Sequence, residues 1–171
     1  MVSLANFDLL SVGTAVAAVG ILGFVVGFSN LRSITNRTFL LFTLVTVFWS
    51  VANYLAYHLP AESSLLVFRL VICAGVWHSL TFFQMCFVFP RDRVVFPQWY
   101  KFGVLPFAFI VSILALTPLI LKEIATVSVT GNIEKITNGP AIPLFGLTVL
   151  GLAIAGIAML IRKTIQARGV E

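Results

Sequence analysis

The sequence predicts an all-α fold: a polytopic membrane protein with a five-transmembrane-helix bundle and a short external β-hairpin between helices four and five. Of the 171 residues, 60% are hydrophobic and 10% are charged, and the mean hydropathy is +1.06. Soluble domains carry about 25% charged residues, so this composition indicates a bilayer as the solvent. A crossing needs about 20 apolar residues. The chain, read as a single membrane domain over 1–171, contains five such runs: about Leu9–Phe28, Thr38–Tyr57, Leu65–Phe89, Lys101–Leu121 and Pro140–Ile161.

The first run predicts a helix that is retained in the mature protein. Asp8 precedes it, and the sequence lacks the basic segment and small-residue cleavage site of a signal peptide. Its glycines share one helix face, and small residues let a neighbouring helix approach closely. Packing within the chain and a dimer contact are both consistent with this face, which includes Gly13, Gly20, Gly23 and Gly27.

The second run carries its polar residues in one sector, about 100° wide on a helix of about 3.6 residues per turn. These residues are Thr43, Thr46, Ser50, Asn53, Tyr54 and Tyr57. Polar side chains in hydrocarbon need partners, so this face is expected to point into the bundle or into a hydrated cavity. Two interpretations stay open: hydrogen bonds between helices, worth about 0.6 kcal/mol each, or the wall of a ligand pocket that opens to the outer side.

The third run contains Arg69, the only charge inside any of the apolar runs. Its long side chain can reach the outer headgroups, or it can pair internally with a carbonyl, a tyrosine or an anionic ligand. We expect a ligand pocket between the outer half of this helix and the polar face of helix two. The predicted pocket residues are Arg69, Ser50, Asn53, Tyr54 and Tyr57.

His78 lies near mid-membrane depth on the same predicted helix. It follows Arg69 by about two and a half turns, which places the two side chains on opposite helix faces. A haem held between His58 and His78 is not expected, because the two histidines lie at different depths. A neutral histidine bonded to a neighbouring helix and a single-histidine contact to a pigment of the chlorophyll type both stay open.

Catalytic and metal chemistry find no support in the sequence. Cys73 and Cys86 lie about 20 Å apart on one predicted helix, at about 1.5 Å per residue, which is too far for a disulfide. The sequence has no CxxC or Cys/His cluster that would predict a metal site. No carboxylate pair or Ser/His/Asp set lies in a predicted helix. We therefore expect a protein that is not an enzyme and has no metal site and no cofactor.

The fourth run leads into the segment that predicts the hairpin. Trp99 and Tyr100 form an interfacial anchor at the start of helix four, and prolines within the helix, among them Pro118, can kink it. Residues 123–137 contain two β-branched stretches on either side of the turn signal Thr130-Gly131-Asn132. An isolated hairpin is marginal in water, so this one is expected to rest on the helix ends or on a partner.

The fifth run predicts a helix that packs closely against others. Pro140 and Pro143 suit its first turn. Its interior is dense in small residues, including Gly151 and Ala155, which permit close helix packing.

Basic residues alternate between the two sides of the predicted bundle. They follow helices one, three and five, at Arg32, Arg37, Arg91, Arg93, Lys101, Arg162, Lys163 and Arg168. The positive-inside rule then predicts a multi-pass protein of the inner (cytoplasmic) membrane, with its N-terminus outside and its C-terminus in the cytoplasm. The net charge of +5 is scattered over helix ends and forms no patch of the kind that binds nucleic acid.

Several short motifs follow one another in an order and spacing typical of a known family. They are Asn36-Arg37-Thr38-Phe39, Phe48-Trp49-Ser50, Asn53-Tyr54, Phe87-Val88-Phe89-Pro90, Asn138-Gly139-Pro140 and Arg162-Lys163. Over nearly the whole chain these motifs resemble the N-terminal seven-helix (7TM) sensor region of bacterial histidine kinases. That family shares the outer N-terminus and the external hairpin, and it continues into two further helices and usually a kinase. This sequence resembles only the first five helices, as a fragment of a longer kinase or as a five-helix relative.

The resemblance implies a prokaryotic membrane-embedded sensory module for signal transduction, without its own catalytic output. Its partners would be the lipid bilayer and other membrane helices, from the rest of a kinase, a kinase partner or a second copy in a homo-oligomer. The alternative is a small accessory subunit of a larger integral membrane complex, whose small-residue helices dock partner helices. A transporter fragment is disfavoured, because inverted repeats and intramembrane carboxylates are missing from the sequence.

Overall fold

The computed structural model describes the backbone of residues 2–59, 61–127 and 133–168, and the side chains of residues 10–59, 64–124 and 136–167. The described chain forms α1 Val2–Ser29, α2 Ile34–His58, α3 Ala61–Val88, α4 Leu105–Ala115, β1 Leu121–Val127, β2 Ile133–Asn138 and α5 Ile142–Arg168. The predicted all-α class is confirmed: the described residues form five helices and a small antiparallel sheet before the last of them.

Four helices in the described part of the chain are long and apolar enough to cross a membrane. The qualifying segments are Leu10–Ser29, Ile34–His58, Ser64–Val88 and Ile142–Ala167. Their surfaces expose large apolar side chains; Leu10, Leu147 and Ile165 are each about two thirds exposed or more. Soluble monomers rarely expose contiguous apolar patches above about 300–600 Å². Helix length, composition and exposed surface therefore agree with the predicted membrane class.

The fourth helix is shorter than its predicted range of about 101–121. A π-helical turn, Tyr100–Val104, leads into α4, and the apolar helix as a whole covers Tyr100–Ala115. At about 1.5 Å per residue this is about 24 Å, less than the hydrocarbon core of about 30 Å. Length alone does not make this segment a crossing helix.

Thr117 and Pro118 explain why α4 ends early. Proline disfavours a helical conformation in the residue before it. The Thr117 hydroxyl donates to the Leu114 carbonyl at 2.7 Å and accepts the Leu119 N–H at 3.3 Å, so the chain forms a turn instead of another helical turn. The chain then enters β1 directly at Leu121.

Helix α3 is the central element of the bundle, since it packs against α2, α4, α5 and β1. Its buried residues divide between two apolar clusters. The cluster near the hairpin contains Ala52, Ala56, Phe68, Val71, Ala115, Ile120 and Leu121. The other cluster contains Val76, Leu80, Phe83, Tyr100, Ala108 and Val111. Because both clusters include residues of α3, this helix connects the two ends of the core.

The two strands pair antiparallel, with Leu121 opposite Asn138 and Val127 opposite Ile133. This confirms the predicted hairpin, although its turn at 130–132 lies outside the described residues. Leu121 is buried in the cluster near the hairpin. After β2, the Gly139 N–H donates to the Ile120 carbonyl at 2.8 Å. The hairpin is therefore attached to the helix ends by its first strand.

The opposite end of the bundle gathers most of the lysines and arginines. The α1–α2 connection meets the segment after α3, because the Ile34 N–H donates to the Asp92 carbonyl at 3.0 Å and the Thr35 hydroxyl donates to the Arg91 carbonyl at 2.7 Å. The C-terminal part of α5 lies at this end too, where Lys163 bonds to carbonyls at the end of α3. We call this the basic end and the other the hairpin end.

Candidate functional site

The polar face of α2 lines a cleft between α1 and α2 at the hairpin end. The cleft has a volume of about 380 Å³, and its α2 wall includes Ser50, Asn53, Tyr54, Tyr57 and His58. Positions 50, 53, 54 and 57 recur at the three- and four-residue spacing of a single helix face. The structure thus brings together four of the five residues predicted to bind a ligand.

The α1 wall of this cleft is apolar and built from small side chains. It consists of Val12, Ala15, Val16 and Val19. A molecule in the cleft would therefore meet hydroxyl, amide and imidazole groups on one side and only hydrocarbon on the other. This arrangement suits an amphipathic ligand, with a polar edge against α2.

The cleft exists because α1 and α2 touch at the basic end and separate toward the hairpin end. A methyl group added at Gly27 would lie 2.8 Å from the Leu40 side chain, and one added at Gly23 would overlap Thr43. At Gly20 the nearest atom, on Val47, is 3.9 Å away, and around Gly13 nothing lies within 4 Å.

The predicted glycine face of α1 is consequently a contact with α2 at Gly23 and Gly27. Gly13 lies beyond the region of contact. On α5, Gly151 and Ala155 are exposed, with no atom near Gly151 that would limit a side chain there. These two positions face away from the described part of the bundle.

Several polar groups in the α1–α2 cleft have no hydrogen-bond partner among the residues that the structure describes. Within the described ranges, the side chains of Ser50, Asn53 and Tyr57 and the Tyr54 hydroxyl form no hydrogen bond. The His58 Nδ1 lies 2.8 Å from the Tyr54 carbonyl oxygen, and the two rings stack with centroids 4.0 Å apart. Polar groups that lack protein partners bind water or a ligand, so this wall is available for recognition.

Arg69, the fifth predicted pocket residue, lies apart from the other four. Its Nη2 donates to the Leu121 carbonyl at 2.9 Å and to the Lys122 carbonyl at 3.2 Å, and its Nε donates to Leu121 at 3.2 Å. The sequence left a carbonyl, a tyrosine or an anionic ligand as possible partners of Arg69, and in the structure the partners are backbone carbonyls. Arg69 thus holds the first strand of the hairpin on α3 and does not line the α1–α2 cleft.

His78 lies on another face of α3, against α2. Its ring meets Phe42 and Trp49 nearly edge-on, at centroid distances of 5.0 and 5.3 Å. It lines a second cleft, between α2, α3 and α5, of about 390 Å³. His78 and Arg69 therefore belong to different sites, as their helical phase predicts.

Sequence reasoning missed two residues. Lys163 of α5 donates to the carbonyls of Cys86 at 3.0 Å and Phe87 at 2.6 Å, and to that of Phe89. It therefore neutralises the C-terminal end of α3, where a cation is favoured by the unpaired carbonyls. Trp49 lines both clefts. The position of Lys163 near a helix end was a signal that it could neutralise helix carbonyls. Nothing in the sequence pattern indicated that Trp49 would line both clefts.

The described residues hold no group of three or more His, Cys, Asp and Glu side chains arranged for a metal ion. Cys73 and Cys86 are both free thiols on α3. The candidate site of this molecule is therefore the α1–α2 cleft, with hydrogen-bonding and stacking groups as its chemistry.

Comparison with known proteins adds no family to this description. The chain matches no protein-family model, no curated protein and no solved structure. The geometry of the two clefts and the charge distribution along the bundle are thus the basis on which a function is inferred.

Proposed function

We propose that this chain is a membrane-embedded sensory input module of the sensor-histidine-kinase type, without its own catalytic output. In this proposal the α1–α2 cleft binds an amphipathic signal molecule. Binding changes the packing of α1 on α2, and that change passes to a signalling partner at the basic end. The resemblance of the sequence motifs to the kinase sensor region suggests that the signalling partner is a kinase. The cleft suggests where the signal molecule binds.

One observation carries the proposal. Thr43 and Thr46, on the same face, donate to carbonyls of α2 itself. The hydroxyl and amide groups of the four polar side chains from Ser50 to Tyr57 form no hydrogen bond among the described residues, although they line a cleft of about 380 Å³. If that face served only to hold helices together, its hydroxyl and amide groups would be bonded to α1 or α3. Their availability favours the ligand-pocket interpretation over interhelical bonding.

The distribution of charge supports an orientation for the module. The basic end carries most of the lysines and arginines, including Arg32, Arg37, Arg91 and Arg93. By the positive-inside rule this end faces the cytoplasm of a bacterial inner membrane. The α1–α2 cleft then opens toward the outer side, where a signal would arrive, and α4 crosses together with the turn that follows it.

The test is purification of the tagged chain from its native membranes in mild detergent, with identification of the proteins that accompany it. We expect a histidine kinase, recognised by its phosphoacceptor helix and ATP-binding domain. Autophosphorylation of that kinase in isolated membranes should change when Asn53→Val and Tyr54→Phe are introduced together. The matched control, Val51→Ala on the lipid-facing side of α2, should leave it unchanged. A kinase that responds equally to both changes would contradict the proposal.

A second candidate function rests on α5. Gly151 and Ala155 are exposed on its outer face, where another helix can approach closely. This favours an accessory subunit that docks partner helices in a larger membrane complex. Recovery of the chain in fixed stoichiometry with non-signalling membrane subunits, disrupted by Gly151→Leu, would replace the sensory proposal by this one.

A further inference from the structure

The second cleft, between α2, α3 and α5, differs from the first in depth and in chemistry. Trp49 lies near the middle of α2, and His78 lies just past the middle of α3, so the cleft is at mid-membrane depth if the helices span a membrane. Its remaining walls are almost entirely apolar and include Ile72, Phe82, Phe145 and Val149. No charged side chain lines it.

Two nitrogen-bearing rings interrupt this apolar wall. Among the described residues, neither the imidazole of His78 nor the indole N–H of Trp49 has a hydrogen-bond partner. The hydroxyl of Ser79, which also lines the cleft, donates to the Gly75 carbonyl at 3.1 Å. A nitrogen without a partner is costly in hydrocarbon, where no water is at hand. The cleft therefore offers hydrogen bonds to whatever occupies it.

Gly75 keeps the cleft open beside the indole. A methyl group added there would lie 3.6 Å from the Phe145 ring and 3.8 Å from Trp49 Nε1. A larger side chain at this position would extend between Phe145 and Trp49, into the space that the cleft provides. The absence of a side chain at Gly75 thus leaves room for a flat group between two aromatic walls.

These features define the ligand by its chemistry. The indole N–H only donates, so the ligand must present an acceptor oxygen. The cleft contains no cation, so a carboxylate or phosphate buried there would remain unpaired, at high cost. That argument also disfavours haem, whose two carboxylates would find no partner. Aromatic walls favour a planar ring by offset or edge-on stacking.

We propose that the α2–α3–α5 cleft binds a neutral, membrane-soluble ligand of the quinone class. A quinone carbonyl accepts hydrogen bonds from Trp49 and His78, its ring lies beside Gly75 against Phe145, and its isoprenoid tail leaves into the lipid. The site does not depend on the sensory proposal, because apart from Trp49 its lining comes from α3 and α5, and its ligand comes from the bilayer rather than from the outer side.

The test uses quenching of Trp49 fluorescence by a short-chain ubiquinone. The full chain, with Trp77→Phe and Trp99→Phe, is placed in lipid nanodiscs so that Trp49 is the only tryptophan. We expect saturable quenching. Gly75→Leu, which fills the cleft, should abolish saturation, whereas Gly151→Leu, the same change on the lipid-exposed face of α5, should preserve it. Quenching that rises linearly with quinone content, or that survives Gly75→Leu, would overturn the proposal.

Substitutions at His78 test the hydrogen bond separately from the shape of the cleft. His78→Leu should weaken binding about tenfold, equivalent to about 1.4 kcal/mol, while His78→Gln, which keeps a donor, should weaken it less than threefold. Equal binding by the two variants would overturn the hydrogen-bond assignment. A porphyrin or chlorin absorption band that copurifies with the chain and disappears in His78→Leu would show a pigment site instead.

Discussion

The two clefts share one wall residue, Trp49, and differ in nearly everything else. The α1–α2 cleft has a polar wall with hydroxyl, amide and imidazole groups near one end of the bundle. The α2–α3–α5 cleft lies midway between the two ends of the bundle, which is mid-depth if the helices span a membrane, and it is apolar apart from His78, Ser79 and the indole N–H. Near a membrane surface, many polar groups can be hydrated when no ligand is bound. At mid-depth they cannot, so a few nitrogens there are a sharper indication of a specific ligand.

The clefts also arise in different ways. The first opens because α1 and α2 are in contact at Gly23 and Gly27 and then separate. The second is a local gap beside Gly75, within otherwise close packing of α3 against α2 and α5. The first should therefore respond to any change in the angle between two helices. The second should respond only to changes in its lining.

The largest effect is expected from Gly23→Leu. The new side chain would overlap the buried Thr43 side chain, and overpacking of this kind costs about 1–3 kcal/mol. The thermal midpoint in detergent should fall, and α1 should separate from α2, while quinone quenching in the second cleft persists. Gly13→Leu is the control, since nothing lies within 4 Å of that position. Equal midpoints for the two variants would show that the close contact does not form the first cleft.

Arg69→Met should have the next largest effect, on the hairpin and on neither cleft. It removes three hydrogen bonds to the carbonyls of Leu121 and Lys122, and the loss is confined to the hairpin because both carbonyls belong to β1. Hydrogen exchange should accelerate in 121–127 and stay unchanged in α1 and α2. Faster exchange in the polar segment of α2 would mean that Arg69 supports the α1–α2 cleft after all.

Asn53→Leu is expected to have little effect on stability. Its amide has no partner in the described part of the chain, so the change should stay within about 0.5 kcal/mol. Tyr100→Phe provides the contrast, because it removes the bond between Gln84 and Tyr100 and should cost about 1 kcal/mol. The free energy of unfolding of the two variants is compared in detergent. A decrease for Asn53→Leu as large as that for Tyr100→Phe would favour interhelical bonding as the role of the polar face.

The features that followed from sequence are those that depend on neighbours along the chain. Hydropathy located the helices, and β-branched stretches located the hairpin. Helical periodicity identified which α2 residues share a face, from Ser50 to Tyr57. Periodicity says which residues point the same way, but not which helix they meet. For that reason the sequence predicts a pocket between this face and Arg69 of α3, whereas the structure places the face opposite α1.

The remaining features depend on contacts between distant segments. The Arg69 bonds to Leu121 and Lys122 require the turn at Pro118 that ends α4 early. Lys163 reaches carbonyls of α3 only because α5 packs alongside it. The second cleft depends on the missing side chain at Gly75, on one helix, and on Phe145, on another. No local pattern contains this information.

The central claim is that the polar face of α2 lines a hydrated cleft open to the outer side, and thiol labelling tests it most directly. Asn53→Cys and Val51→Cys are compared in a chain with Cys73→Ala and Cys86→Ala, in intact cells treated with a membrane-impermeant maleimide. The two positions are two residues apart on α2, and Asn53 lines the cleft whereas Val51 is exposed on the outer surface of the bundle. The account predicts labelling of Asn53→Cys at least about tenfold faster than that of Val51→Cys, because the reagent needs a hydrated thiolate. Equal rates, or labelling of Asn53→Cys only after the cells are permeabilised, would contradict it.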